Sequence, residues 1–466
     1  MAKPESILIK GGTVVLGQSV SKQDIFIEGE KIKAVGDLAR KKADEVVDAK
    51  GKLVLPGGVD THVHFDDVFM DTVSVHNYYT GTLAAAYGGT TTVVDFSNQV
   101  VGEPLMNTLK SKKKDARGKA VIDYGVHPVI TKADPEIIDE IPELITEGAP
   151  TIKCYMTYRR EGLLMEDDDL KKIALRLRDA GGMLMLHAED NDMIEEFVEN
   201  MINSGLRKPR YHAKSRPTEA ENVAIARLIT IARETNGRLF IVHLASNDGM
   251  ALINIARSEG LDIIAETCTH YLVFTEQMLE RKDGVKWVCS PPLREQWVQM
   301  QLWKGLQDGR IAMVTSDDAA YSWEAKQKGA KRFDKCPNGI AGIEPRFIIM
   351  FSEGVAKGRL SLPRFVELVS TTPAMLFGMS PQKGTLLPGA DADVVILDPK
   401  AEWVMNHKTL HMAADYAAYD DIKVTGKITK VFSRGELIID GEKCLAKKGR
   451  GRYLHRKLDL SVRSSI

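Results

Sequence analysis

Two histidines stand two residues apart in the apolar segment GVDTHVHF, at His62 and His64. If this segment forms a strand, both imidazoles lie on the same face, because alternate residues of a strand point the same way. Two imidazoles on one strand face can together bind a single metal ion. A single pair is weak evidence, since a core histidine hydrogen-bonded to a carbonyl group is commoner.

The same polar ending recurs in other apolar segments. His187 closes MLMLHAE, His243 closes LFIVHLA and Asp317 closes IAMVTSDD. Each residue taken alone is better explained as structural, but that explanation does not account for four imidazoles and a carboxylate at one level of a fold. Imidazole and carboxylate ligands without thiolate indicate zinc, manganese or iron in a site that keeps an open position.

Lys153 interrupts a further apolar segment, PTIKCYMTY, at residues 150–158. Taken alone, it is most simply a lysine whose ammonium group reaches along the strand to water. If it lies among the metal ligands instead, burial and two nearby cations favour the neutral amine. A neutral amine can add carbon dioxide and become a carbamate, an anion whose two oxygens can bridge two metal ions.

Strands that alternate with helices must position these residues. The eight strand candidates are GVDTHVHF, TTTVVDF, AVIDYGVHPVI, TIKCYMTY, MLMLHAE, LFIVHLA, IIAETCTHYL and IAMVTSDD. Helical segments such as DDLKKIALRLRDAG and AENVAIARLITIARETNG lie between several of them. This order predicts an α/β fold with a (β/α)8 TIM-like barrel, in which active sites lie at the C-terminal ends of the strands.

Both ends of the chain contain short strands separated by glycine turns, such as ILIKGGTVVL at the start and ITKVFSRGELIID near the end. We therefore expect residues 1–56 and 381–466 to form one small β-sandwich domain with a C-terminal tail. Residues 57–380 are expected to form the catalytic barrel.

Composition limits the partners. The 466 residues are 44% hydrophobic and carry a net charge of -1, which suits a large core and gives no field that attracts nucleic acid. No segment has the roughly 20 unbroken apolar residues of a membrane span. The basic runs at 110–117 and 447–457 are predicted to be solvated surface or a subunit contact. The expected partner is a small molecule, with neither nucleic acid nor membrane.

Cysteine usage points to a reducing compartment. The five cysteines form no C-x-x-C pair, and they are Cys154, Cys268, Cys289, Cys336 and Cys444. This pattern argues against a disulfide framework and against a thiolate zinc site. The N-terminus has no apolar core of signal-peptide length. We expect a cytoplasmic protein.

Ten motifs, in this order, give the chain a close resemblance to the cyclic amidohydrolases of the hydantoinase and dihydropyrimidinase family over nearly its full length. They are GGVDTHVHF, GTLAAAYGGTTTVVDF, IKCYMTY, LHAED, YHAKSRP, IVHLAS, ETCTHYL, SPPLR, CPNGIAGIE and GADADVVILDP. The resemblance implies the barrel of the amidohydrolase superfamily with a β-sandwich domain built from both termini.

The resemblance also implies a centre of two divalent metal ions. The histidine pair of GVDTHVHF and Asp317 would bind the more buried ion. His187 and His243 would bind the other ion, and a carboxylated Lys153 would bridge the two. Zinc is the favoured metal, with manganese and iron as alternatives, because this ligand set accepts several metals and availability decides.

Other residues take roles through the same resemblance. The hydroxyl of Tyr158 would stabilise an oxyanion, and Asp317 would also carry a proton to the leaving nitrogen. Ser290 and Asn338 would recognise the amide edge of the substrate ring through their main chains. Without the resemblance, Tyr158 is a strand-end aromatic, and Ser290 and Asn338 are turn residues.

The loop at residues 66–76 is expected to wall the substrate's exocyclic substituent. Phe69 and Met70 are its apolar pair, which is more easily explained if it covers something. Tyr155 lies two residues from Lys153 and should share its strand face. The alternative is that Phe69 and Met70 only pin the loop to the barrel.

The implied reaction opens the ring amide of 5-substituted hydantoins or 5,6-dihydropyrimidines with a metal-bridging hydroxide, which gives N-carbamoyl amino acids. An allantoinase, or another amidohydrolase of cyclic ureides, is an alternative. It is disfavoured because allantoinases and dihydroorotases usually have arginine where Asp66 stands. A non-catalytic dihydropyrimidinase-related scaffold is a remote alternative, since all six ligands are present.

Two departures from the family pattern leave the substrate preference open. They are Asp318, where relatives often have histidine or glutamine, and Thr269-His270, where Pro-Gln is usual. Relatives are usually homotetramers, so a homo-oligomer is expected.

Overall fold

A computed structural model of the protein describes residues 4–462. Its central element is a barrel of eight parallel strands, which are, in chain order, Gly58–Val63, Thr90–Asn98, Asp123–Val129, Thr151–Tyr155, Met183–His187, Leu239–Ile241, Ile263–Cys268 and Met313–Thr315. Each strand pairs with the next one along the chain. A parallel bridge between Val63 and Asp318 brings the first strand to the end of the eighth. The predicted barrel is confirmed.

The barrel strands read as continuous apolar runs because both of their faces are buried. In the second strand, Thr90–Asn98, every residue but the last is buried. β-branched residues fill most of its first half, as expected for a strand covered on both sides.

Helices cover the outside of the barrel. The longer ones are Tyr78–Tyr87, Leu105–Ala116, Asp167–Ala180, Asn191–Asn203, Thr218–Thr235, Asn247–Ser258 and Gln296–Gln307. The shorter α-helices are Pro135–Asp139, Ile141–Thr146, His212–Ser215, Thr269–Val273, Trp323–Gln327, Pro345–Ile349, Leu362–Val366 and Thr372–Leu376, and two π-helical segments span Met350–Ala356 and Glu367–Thr371. Helix Asp167–Ala180 shows the reason for their packing, since Leu170, Ile173 and Leu177 fall on one buried face.

The second sheet is built from both ends of the chain. Its nine strands are Ser6–Leu16, Ser19–Glu28, Lys31–Gly36, Glu45–Asp48, Leu53–Pro56, Val394–Val404, Lys423–Ser433, Glu436–Asp440 and Lys443–Cys444. Strand Val394–Val404 pairs antiparallel with Leu53–Pro56 and so joins the two ends. A separate apolar core contains residues from both, including Ile25 and Phe432. The terminal sheet domain is confirmed, while its limits at residues 56 and 381 stay a prediction.

The expectation that the two basic runs are solvated was wrong for part of each. Arg456 is fully buried, and its guanidinium donates to the carbonyl of Val126 in the third barrel strand at 2.6 Å. Arg450 donates to the carbonyl of Val121 at 3.0 Å, and Lys112 pairs with buried Asp95 at 3.1 Å. The arginines of the second run therefore dock the C-terminal tail onto the barrel.

Two further structural findings concern the cysteines and membrane-spanning helices. All five cysteines are free. Within residues 4–462, no helix combines the length and the apolar character that crossing a bilayer requires.

Candidate active site

Polar side chains from most of the barrel strands meet in one cavity at the C-terminal end of the barrel. Its lining includes all the residues singled out from the sequence as ligands, catalytic groups or substrate contacts, namely His62, His64, Phe69, Lys153, Tyr155, Tyr158, His187, His243, Ser290, Asp317 and Asn338. Three of them, Tyr158, His243 and Asp317, have positive φ values of 68°, 40° and 47°. That conformation is uncommon for residues other than glycine and is found preferentially at functional sites.

The histidine pair of the first strand converges on Asp317. Nε2 of His62 lies 2.9 Å from Oδ1 of Asp317, and Nε2 of His64 lies 3.5 Å from the same oxygen. On its other nitrogen, His62 contacts Oε1 of Glu266 at 2.5 Å. A carboxylate behind a ligand histidine fixes its tautomer and orientation.

The neighbouring histidines favour the ionised form of the Asp317 carboxylate. Burial alone would raise the pKa of Asp317, but His62 and His64 hold it well below its usual value. Burial also opposes the charged form of His64, yet Asp317 and Asp67 raise the pKa of His64 to about 9. A metal ion at His64 therefore has to displace a proton.

His187 and His243 form the second pair of imidazoles, with ring centroids 4.4 Å apart. Nε2 of His187 contacts Glu189 at 2.6 Å, and Arg216 pairs with the same carboxylate at 2.6 Å. Burial lowers the pKa of both histidines, which favours the neutral form that binds metal ions. Nδ1 of His243 is buried without a hydrogen-bond partner among residues 4–462.

Lys153 differs from the other buried lysines. Lys326 is fully buried and donates to three carbonyl groups at 2.8–2.9 Å. Nζ of Lys153 has neither a hydrogen bond nor an ion pair with any described residue, and it lies 4.8 and 4.9 Å from the ring centroids of Phe96 and Tyr155. Burial lowers the pKa of Lys153 to about 8. A large fraction of this amine is therefore neutral near pH 8.

These donors fit metal ions. The set contains imidazoles, a carboxylate and an amine, and the ligand atoms of His62, His64 and Asp317 lie within 4.8 Å of one another. The unpartnered nitrogen of His243 is a buried polar atom that a bound cation would satisfy. The arrangement leaves a cavity in front of the ligands, as a catalytic metal site requires.

Tyr158 faces the ligands from the fourth barrel strand's end. Nδ2 of Asn338 lies 3.3 Å from its hydroxyl oxygen, so the amide donates and the hydroxyl proton is available for another acceptor. Burial raises the pKa of Tyr158 to about 12. The phenol therefore stays protonated and can donate a hydrogen bond to a developing negative charge.

The two departures from the family pattern, at Asp318 and at Thr269-His270, do not face the cavity. The carboxylate of Asp318 points away from the cavity and pairs with His76 at 2.6 Å, while the main-chain amide of Gly342 donates to it at 2.8 Å. The hydroxyl of Thr269 donates to the carbonyl of Thr315 at 3.2 Å. His270 is fully buried, and its ring lies tilted against that of Tyr271 with centroids 4.2 Å apart. None of these three side chains lines the cavity.

Sequence reasoning missed the groups behind the ligands, namely Asp67, Glu189, Arg216 and Glu266. One of them carried a visible signal, because Glu266 is a charged residue inside the apolar run IIAETC. Arg216 and Glu189 stand in quoted motifs, but their contact joins segments 27 residues apart.

Comparisons with known proteins agree with this geometry. The sequence model of the Amidohydrolase family matches residues 53–438. A D-hydantoinase of Geobacillus stearothermophilus is 39% identical over 453 residues, which cover 96% of this chain and 96% of that protein. A D-phenylhydantoinase of Escherichia coli O1:K1 is 41% identical over 455 residues, which cover 97% and 98%.

Solved structures give the same result. The dihydropyrimidinase of Brevibacillus agri NCHU1002 has a TM-score of 0.95 at 39% identity and covers 97% of this chain and 99% of its own. The L-hydantoinase (dihydropyrimidinase) of Arthrobacter aurescens has a TM-score of 0.90 at 30% identity, with coverage of 96% and 99%.

Proposed function

The chain belongs to the amidohydrolase family and is a hydrolase of cyclic amide bonds, and we propose that its substrates are 5-substituted hydantoins and 5,6-dihydropyrimidines. The observation that carries the proposal is the single cavity that joins all six candidate ligands to Tyr158. Hydrolysis of such rings gives N-carbamoyl amino acids.

Two divalent cations would occupy the ligand set. His62, His64 and Asp317 would hold one ion, and the second pair of histidines would hold the other. When bound, the two ions lower the pKa of water so that hydroxide is available at neutral pH, and they polarise the carbonyl group under attack. Zinc is the metal we propose, with manganese or iron as alternatives.

Lys153 would bridge the two ions as a carbamate. Addition of carbon dioxide to its neutral amine forms the N–C bond and releases one proton. The product replaces an ammonium group that has no hydrogen-bond acceptor among residues 4–462 by an anion with two oxygens. The pKa of about 8 supports this step, because the neutral amine is the reactive form.

The residues of the chain orient the substrate and move protons. Tyr158 donates its hydroxyl hydrogen bond to the oxyanion that forms at the ring carbonyl. Asp317, held as an anion, accepts a proton from the attacking water and gives it to the leaving ring nitrogen. Ser290 and Asn338 line the cavity, and their main chains would bind the amide edge of the ring.

Two properties of the protein in the cell complete the proposal. The absence of disulfide bonds among its five cysteines supports a cytoplasmic location. Assembly as a homotetramer rests on the resemblance to the family.

The experiment that tests the function is identification of the product. Purified, metal-loaded protein is incubated with a 5-substituted hydantoin, with dihydrouracil and with allantoin. We expect the N-carbamoyl amino acid from the first two and no ring opening of allantoin. Preferential opening of allantoin would make the protein an allantoinase, and no product from any of the three would favour a non-catalytic scaffold.

We propose that Phe69 selects among substrates by the exocyclic substituent on their ring. It lies in the hairpin of Val68–Phe69 and Thr72–Val73, and its ring packs edge-on against Tyr158 with centroids 4.9 Å apart. Phe69 lines both the ligand cavity and a larger neighbouring cavity, whereas Met70 lines only the larger one. Together with Tyr155, Phe69 gives the site an apolar wall.

We expect Phe69→Ala to lower kcat/KM for a phenyl-substituted hydantoin about tenfold to a hundredfold more than for dihydrouracil. One aromatic contact contributes roughly 1.5–3 kcal/mol, and this loss applies only to the substrate that has the ring. The control is Val73→Ala, at a half-exposed position of the same hairpin, and it should leave the ratio unchanged. Equal losses on both substrates in Phe69→Ala would assign the loop to closure or stability.

A further inference from the structure

His270 is a buried histidine whose ring has no partner. It is fully buried, and neither ring nitrogen has a hydrogen bond with any residue in the described range 4–462. A neutral imidazole has one donor and one acceptor, and leaving both buried and unsatisfied destabilises the folded state. Unsatisfied groups of this kind commonly mark a bound water or ion.

Two other ligand groups lie beside this ring. A ring nitrogen of His270, the sulfur of Cys268 and a carboxylate oxygen of Asp317 all lie within 4.8 Å of one another. Ligands of a tetrahedral ion with bonds of about 2.0–2.3 Å are about 3.3–3.8 Å apart. A small inward shift would therefore bring the three atoms to one cation.

We propose that Cys268, His270 and Asp317 form a third metal site behind the active centre, which takes a thiophilic divalent cation such as zinc or cadmium. Sulfur, nitrogen and oxygen ligands in one set suit these ions, and hard ions such as magnesium avoid thiolate. The site is distinct from the proposed binuclear centre, because neither Cys268 nor His270 lines the cavity. The sequence pattern did not indicate this set, because Asp317 lies 47 residues beyond His270 along the chain.

Two negative charges among the proposed ligands would offset the charge of a cation bound at the third site. The ion would bring two positive charges next to His62, which lies 2.9 Å from Asp317. A coordinated thiol is deprotonated by the metal, so Cys268 and Asp317 would together supply two negative charges. Oδ1 of Asp317 is shared with the histidine pair of the first strand.

This sharing gives the third site an effect on turnover. An ion held by Cys268 and His270 draws the Asp317 carboxylate away from its proposed role in proton transfer. The site is therefore inhibitory, and excess zinc or cadmium slows the enzyme.

The test is a cadmium titration of protein that already holds two zinc equivalents. All variants carry Cys444→Ser, because Cys444 is the exposed cysteine. Ultraviolet absorption from sulfur-to-cadmium charge transfer reports cadmium bound to a thiolate, which the proposed binuclear centre lacks, and the variants below assign it to Cys268. We expect this absorption to saturate at one added equivalent, and activity to fall in parallel, relative to the same protein without cadmium.

Two variants and one control decide the result. Cys268→Ser should abolish the absorption, and His270→Gln should weaken cadmium binding at least tenfold and relieve the inhibition. Cys336→Ser removes another buried thiol, which lies outside the proposed third site and whose sulfur is near the carbonyls of Val285 and Lys326, and should keep the absorption.

Absence of the absorption at one equivalent, or its persistence in Cys268→Ser, would overturn the site and leave water as the partner of His270. If Cys268→Ser does not fold, unaltered cadmium binding by His270→Gln overturns it equally. These outcomes are independent of the proposed function, which the product assay tests.

Discussion

Lys153→Ala is expected to abolish hydrolysis and to lower the metal content of the purified protein. The substitution removes the group that we propose bridges the two ions as a carbamate, and the other proposed ligands then divide into two separate sets. Metal analysis and a hydantoin hydrolysis assay on the same preparation measure both effects. Short carboxylic acids added with bicarbonate should restore part of each, because a free carboxylate can occupy the vacated space.

The matched control for this variant is Lys326→Met. Lys326 is also fully buried, but its ammonium group serves three backbone carbonyls and does not line the cavity of the ligands. We expect a lower Tm without selective loss of metal, because the substitution leaves buried acceptors unpaired. A Lys153→Ala enzyme that is active and fully metallated would show that Lys153 is only a buried lysine held against the rings of Phe96 and Tyr155.

Asp317→Asn is expected to reduce turnover by roughly 10²-fold or more while metal remains bound, which is the usual scale for loss of a general acid-base group. The amide keeps an oxygen that can ligate, but it cannot accept a proton. The measurement is kcat together with metal content on the same sample.

The neighbouring carboxylate provides the control for Asp317→Asn. Asp318→Asn changes a side chain that faces His76 and the amide of Gly342 instead of the cavity. It shows how much activity is lost when this segment is disturbed without removing the proton carrier. Near-normal turnover of metal-loaded Asp317→Asn would place the proton transfer on another group.

The barrel could be predicted, and candidate ligands could be named, because their signals are local. The two-residue period of a strand places His62 and His64 on one face, and a polar residue at the end of an apolar run marks the active end of a barrel. His187, His243 and Asp317 follow the same rule. One sequence was sufficient to name these candidates because each lies in or just after the C-terminal end of a barrel strand.

The supporting contacts could not be predicted because they join distant segments. The ion pair of Glu189 with Arg216 and the contact of His62 with Glu266 depend on how the elements pack. The basic run at 447–457 was misjudged for the same reason. Arg456 is buried because the carbonyl of Val126 accepts its hydrogen bond, and nothing in the run itself reveals that acceptor.

The central claim is that six residues hold two metal ions that the reaction requires, and stepwise reconstitution tests it most directly. The protein is freed of metal with a chelator, zinc is returned in measured amounts up to two equivalents, and hydrolysis of a 5-substituted hydantoin is followed at each step. The account predicts no hydrolysis without metal and full activity only when the second equivalent is bound. Hydrolysis by the metal-free protein, or full activity with a single equivalent, would contradict it.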